Sequence, residues 1–330
     1  MPTLRTRIYV DGYNLYYGCL RKTPYKWLDV LRLFEEQILP SILYRLLPEG
    51  QPAKMVLDEQ CAIKYFTAEI IEKAAKATDS VQSQRRYHNA LKAHSKGRLK
   101  FILGKFSCYK ANQRIVAEDD PDRWPRDCEQ VQVWKLEEKK SDVNLALQLY
   151  DDALHDALDQ IVLVTNDTDL APAMAMLKER CPHIVRGLVT PTRENQDTRA
   201  TERQINKALA EQAHWVRTHI TQAELCASQL PDVVATARRS SIKPDSWYAK
   251  PQHLATLIEL AQPIRKGRQK IMKWANTACA ALDGQKPITL IESDDGAARV
   301  FSYLRALVEE RAAKTGQCHA SNAHIIDADA

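Results

Sequence analysis

The chain has 330 residues, 47 Lys and Arg against 42 Asp and Glu, a formal net charge of +5, and 45% hydrophobic residues. That suffices for two domains with a sizeable core, and no apolar run approaches the length of a membrane span. The N-terminus lacks the apolar stretch of a secretion signal and the eight cysteines form no CxxC pair, so a cytoplasmic protein with reduced, structural thiols is expected.

The first apolar run, Arg7-Ile8-Tyr9-Val10, ends in Asp11-Gly12-Tyr13-Asn14, a strand that delivers an acid at its end. Between Trp27 and Leu39, apolar residues at 27, 28, 31, 34 and 38 mark a helix face. Residues 62–67 read as a strand, 81–94 as a helix and 99–106 as a strand. Across residues 82–114 there are nine Lys or Arg and no acid, with Tyr87, Phe101, Phe106 and Tyr109 interleaved. Cations for phosphate and rings for bases are what a single-stranded nucleic-acid groove needs. Arg85, Arg86, Lys92, Lys96 and Arg98 are the candidate contacts. The plainer reading of the same stretch is a solvated helix face followed by a core strand. After a polar loop at 117–127, a short strand at 130–135 leads to Glu138-Lys139-Lys140-Ser141-Asp142, where a helix opens with Val143, Ala146, Leu147, Tyr150 and Leu154 on helical spacing.

The most informative stretch is Gln160 to Pro172. Ile161 to Val164 has the composition of a strand buried on both faces, and it ends in Thr165-Asn166-Asp167-Thr168-Asp169. A helical pattern (Leu170, Ala173, Met174, Leu177) follows at once, with Thr168 or Asp169 as a cap and Pro172 in the first turn. A strand at 183–189 and a helix at 201–210 complete the series. Such alternation predicts an α/β fold, a mostly parallel sheet flanked by helices, with the acids at its carboxyl edge. Helix capping accounts for one of Asp167 and Asp169, but for neither Asp11 nor Asp142. Four clustered carboxylates repel one another unless a cation neutralises them, and oxygen-only ligands suit Mg²⁺ or Mn²⁺.

VDGYNLYYG, EKKSDVNLAL and VLVTNDTDLAP resemble, in order and spacing, the signature blocks of the NYN domains, PIN-like metal-dependent nucleases. The resemblance covers roughly residues 5–200. It implies that Asp11, Asp142, Asp167 and Asp169 form the catalytic, metal-binding set for Mg²⁺ (or Mn²⁺), with Asn14 beside the first. The implied activity is that of a ribonuclease: a cation polarises the scissile phosphate of single-stranded or looped RNA and lowers the pKa of the attacking water. Lys139 and Lys140 would steady phosphate charge, and Asn14, Thr165 and Asn166 would position substrate or water. One departure is Gln148, where the family often has a further Asp, and it leaves open a nuclease fold that binds RNA without cutting. The Asp-Thr-Asp triplet also echoes the HAD phosphatases, but their motif follows the first strand and carries Thr or Val where this chain has Ala171.

The Pro- and Ser-rich segment at 238–251 sets a boundary near 252. This gives a nuclease-type domain at 1–252, a small all-α domain at 253–316 and an unstructured polar tail at 317–330. Within the helical part, Trp274 to Pro287 and the Asp294–Val300 segment resemble the toxin-binding domain of Xre/MbcA/ParS-type antitoxins. That resemblance implies a protein-interaction module. The expected partners are therefore RNA and, through 253–316, a second copy or another protein, with no membrane. The stretch 264–273, five Lys or Arg without an acid, adds a second phosphate-facing surface.

Overall fold

The computed structural model describes residues 2–194 and 206–323. Contacts divide the chain into two units, Met1–Leu230 with Val234–Ser241, and Pro231–Val233 with Ile242–Ala330. In the first unit the strands are β1 (Thr3–Asp11), β2 (Lys54–Leu57), β3 (Ile63–Thr67), β4 (Leu99–Leu103), β5 (Lys105–Arg114), β6 (Gln130–Lys139), β7 (Gln160–Val164), β8 (Val185–Val189) and β9 (Trp215–Arg217). Seven of them form one sheet of order β4-β3-β1-β7-β8-β9, with β2 beside the first half of β1. Every pairing in it is parallel. The mostly parallel α/β architecture expected from the sequence is therefore present.

The helices of this unit are α1 (Gly12–Leu15), α2 (Val30–Arg32), α3 (Ser80–His94), α4 (Ser141–His155), α5 (Ala171–Arg180), α6 (Lys207–Ala210) and α7 (Gln222–Ala227). Both α1 and α2 continue as π-helical turns, Tyr16–Leu20 and Leu33–Ile38. One core joins Tyr9, Phe66, Ile161 and Leu163 of the sheet to Leu145 and Leu149 of α4 and Met174 and Leu177 of α5. Burying side chains of this size contributes roughly 1.5–3 kcal/mol each. Ile8, Val10, Val162 and Val164 alternate with that set and are also fully buried. This two-sided burial is why the central strands read as continuous apolar runs.

Chain order reverses between β1 and β7: β3 and β4 lie on one side of β1, whereas β7, β8 and β9 lie on the other. The carboxyl ends of β1 and β7 therefore flank a topological switch point, the crevice where open α/β sheets place their sites.

Three expectations are corrected here. Residues 99–106 are not one strand: the chain breaks at Gly104, where an added Cβ would lie 2.7 Å from the Lys139 carbonyl. The strand at 130–135 runs on to Lys139 and pairs antiparallel with β5 as a separate two-stranded ribbon, outside the main sheet. The helix at 201–210 is Lys207–Ala210, with 201–205 outside the described residues.

The second unit packs α8 (Pro251–Ala261), α9 (Arg268–Ala275), α10 (Pro287–Leu290) and α11 (Asp294–Ala323) around Leu254, Leu257, Ile271, Ile288, Val300 and Leu304. Trp274 packs against this core with the Arg265 guanidinium 4.9 Å from its ring centroid, and Arg268 pairs with Asp245. Two cations of the 264–273 stretch are thus already engaged. The tail expected from 317 continues α11 as far as Ala323, and 324–330 lie outside the described residues. No helix among the described residues is long and apolar enough to cross a membrane.

Candidate functional site

Asp11 is the last residue of β1 and, against the expectation that capping does not account for it, also the cap of α1. Its carboxylate accepts the Asn14 N–H at 2.9 Å and the Thr165 hydroxyl at 3.0 Å. Thr165 in turn accepts the Asp167 N–H at 3.1 Å, and the Asn14 carboxamide oxygen accepts the Asn166 N–H at 3.3 Å. The ends of β1 and β7 are tied together through these side chains, so Asn14, Thr165 and Asn166 hold the acids in place. Gly12 permits the tight exit from β1, because a Cβ there would lie 2.7 Å from the Phe66 carbonyl. The third segment arrives through Lys140, whose left-handed backbone (φ 77°) turns β6 into α4 and puts Asp142 in the first helical turn. A carboxylate suits that position next to the helix dipole.

The carboxylates of Asp11, Asp142 and Asp167 converge, with one oxygen from each within 4.8 Å of the others. Asp169, the fourth acid singled out in the sequence, is exposed and does not join this trio. Its backbone N–H donates to Asp167 at 3.1 Å, and its charge acts on Asp142. Burial, then the charges of Asp142 and Asp167, push the Asp11 carboxyl up to about 6, against the hydrogen bonds from Asn14 and Thr165. Asp142 is raised as well, by burial and by Asp167 and Asp169. Three converging carboxylates that offer only oxygen fit a hard divalent cation such as Mg²⁺ or Mn²⁺, which would relieve the repulsion.

Glu138 is an acid of this neighbourhood that the sequence reading left out. Burial, with the charges of Asp11 and Asp142, lifts it to about 7, and it accepts a hydrogen bond from the Ser141 hydroxyl. The only sequence signal for it is its place three residues before a helix that starts Ser-Asp. Gln148 lies farther along α4 and accepts from Lys64 Nζ at 2.5 Å. Lys64 also pairs with Asp152 at 2.7 Å, and Asp152 pairs with Arg7 at 3.0 Å and accepts the Tyr9 hydroxyl at 2.5 Å. The position where the resemblance would place a further metal-site Asp thus belongs to a buried ion network beneath the site.

Lys139 is engaged by Glu137 at 3.1 Å and lies over the Tyr109 ring, while Lys140 is exposed at the turn. Among the proposed nucleic-acid contacts, Arg85 and Lys92 are exposed on α3, Lys96 is exposed in the turn after it, and Arg86 is half-buried. Arg98 is held by Glu35 at 2.9 Å. Tyr87 is unavailable to a base because it is 5% exposed and its hydroxyl donates to the Leu28 carbonyl.

An aromatic strip adjoins the acids. Tyr13, whose phenol feels the Glu138 charge, donates to the Ala68 carbonyl at 2.9 Å and meets Phe106 of β5 edge-on at 5.3 Å. Tyr17 stacks with Tyr13 at 6.2 Å, is buttressed edge-on by Tyr16 at 5.3 Å, and stays 49% exposed. The Arg21 guanidinium caps the strip, 5.4 Å from the Tyr17 centroid.

A protein of Pseudomonas putida (strain DSM 28022 / S16), 6-hydroxy-3-succinoylpyridine 3-monooxygenase HspA, is 47% identical over 308 residues, 93% of this chain and 96% of its own. A crystal structure of a protein of unknown function from Vibrio parahaemolyticus RIMD 2210633 covers 66% of this chain and 94% of that chain, with a TM-score of 0.35 and 16% identity. The monooxygenase overturns the expectation of a metal-dependent ribonuclease: a relative this similar is named an oxidoreductase, not a hydrolase. The physical reason for the difference is that converging carboxylates at a sheet edge mark a site without specifying the bond that reacts beside it. Residues 5–205 match the NYN domain model, well over half of the chain, and the protein belongs to the NYN domain family.

Proposed function

We propose that this protein is a monooxygenase whose substrate is a hydroxylated pyridine carrying an acidic acyl chain. The observation that carries this reading is the 47% identity to the Pseudomonas putida enzyme over 93% of the chain. A match of 308 residues extends well beyond residues 5–205, so the helical second unit is part of what the two proteins share. In the proposed reaction one atom of O₂ enters the substrate and the other leaves as water, with two electrons drawn from a reduced nicotinamide.

Three features of the site support this reading. A divalent cation held by Asp11, Asp142 and Asp167 would supply Lewis acidity toward the oxygen and nitrogen donors of a hydroxypyridine. Glu138, lifted to about 7, is poised to take or give a proton near neutrality. The strip of Tyr13, Tyr17 and Phe106 presents ring faces and edges to a flat heterocycle. The test is oxygen consumption by the purified protein with 6-hydroxy-3-succinoylpyridine and NADH or NADPH. One O₂ consumed per substrate is expected. No substrate-dependent uptake with either reductant, with or without Mg²⁺ or Mn²⁺, refutes the proposal.

A further inference from the structure

We propose that Arg21 is the specificity determinant for the substrate's acidic chain: its guanidinium binds the terminal carboxylate while Tyr17 and Tyr13 hold the ring. This inference rests on the monooxygenase reading for the class of ligand, and on the geometry for the residue.

The strip has a direction. At one end, Tyr13 stands beside Glu138, which is within electrostatic reach of Asp11 and Asp142. At the other end, Arg21 lies over the ring of Tyr17. Tyr13 cannot swing away, because its hydroxyl is fixed on the Ala68 carbonyl and its ring is wedged by Phe106. Tyr17 is about half exposed to solvent, so the strip can be reached by a flat heterocycle. Tyr16 and Tyr17 belong to one π-helical turn, Tyr16–Leu20, and Arg21 follows it directly. Arg21 follows Tyr17 by four residues, a spacing that puts the two side chains on the same side.

Arg21 forms no ion pair among the described residues, unlike Arg5, Arg7, Arg32, Arg98 and Arg217. A guanidinium held over an aromatic ring, with its fork not committed to a carboxylate of the protein, is suited to a bidentate carboxylate from a ligand. A pyridine bearing a carboxylate-ended acyl chain has the matching layout: polar ring atoms for the acidic end, a flat body for the tyrosines and an anion for Arg21.

The experiment is equilibrium binding, by calorimetry without reductant, of 6-hydroxy-3-succinoylpyridine and of its uncharged amide, to the wild-type protein, R21M and Y17L. The wild type is expected to prefer the acid by about tenfold or more, the size of effect that a charge-assisted hydrogen bond of 1.5–3 kcal/mol gives. R21M should abolish that preference and leave amide affinity unchanged. Y17L should weaken acid and amide alike. An acid preference that survives in R21M overturns the proposal, as does equal weakening of both ligands in R21M or failure of the wild type to bind either. Because binding is read without turnover, a wild type that shows the preference but does not oxygenate the acid refutes the monooxygenase reading and leaves the anchor standing. Oxygenation with an R21M variant of unchanged acid preference does the reverse.

Discussion

Asp11→Asn tests whether the acidic trio is held under electrostatic tension. The Asp11 carboxyl moves from 3.8 to about 6 in the folded protein, chiefly through burial. Above pH ~4 the unfolded chain loses this proton, whereas the folded chain keeps it until about pH 6. The wild type therefore loses stability as pH rises through that window and levels off beyond it. A shift of about two pH units corresponds to about 3 kcal/mol. The amide keeps an acceptor for the Asn14 N–H and can donate to Thr165, so the fold survives. In EDTA at pH 7, D11N should be more stable than the wild type by up to about 3 kcal/mol, roughly 6–12 °C in the melting of a unit this size. At pH ~4 the difference should vanish. Mg²⁺ or Mn²⁺ at 100 times its Kd should raise the wild type by about 2.7 kcal/mol and leave D11N unmoved. Calorimetric melts with and without the cation read all three. A D11N protein less stable than the wild type at pH 7, or one stabilised equally by the cation, would refute the reasoning.

Two other perturbations follow from the same geometry. Asp152→Ala removes the acceptor shared by Arg7, Lys64 and Tyr9; Arg7 keeps Asp58 and Asp156, but the buried Lys64 loses its carboxylate, which should cost about 3–5 kcal/mol in urea unfolding, and a loss under 1 kcal/mol would contradict the buried network. Burial against Phe101, 4.7 Å away, lowers His88 to about 4, so protons bind the unfolded state first and stability falls as pH drops from about 6.5 to about 4, by up to about 1.4 kcal/mol per pH unit. His88→Leu should flatten that limb, and a variant with the parental slope would show that His88 titrates normally in the fold.

Much of the frame was legible before any coordinates. β1 and β7 could be read because burial on both faces leaves a continuous apolar run, and because the acid that ends each run stands at a chain reversal. Asp142 could be read from the onset of helical spacing after a charged stretch. Glu138 could not, since Glu-Glu-Lys-Lys is indistinguishable from a solvated charge run until its pairing with Phe106 in the ribbon brings it to the site. The ribbon itself was hidden for a similar reason: residues 130–135 have strand character locally, but nothing local says which strand they pair with. Tyr87 looked like a stacking platform among cations, yet helical periodicity turns it inward to the Leu28 carbonyl. The reaction was hidden most deeply. Three converging carboxylates are compatible with hydrolysis and with oxygen chemistry alike, so the acids that mark the sheet edge do not say which bond reacts there.

The most direct measurement of the central claim is isotope tracing. The purified protein, with 6-hydroxy-3-succinoylpyridine, a reduced nicotinamide and ¹⁸O₂, should yield an aromatic product carrying one ¹⁸O atom and water carrying the other, detected by mass spectrometry. A product labelled only from H₂¹⁸O in the reciprocal experiment, or an unchanged substrate, would contradict the assignment of this NYN-family protein as a monooxygenase.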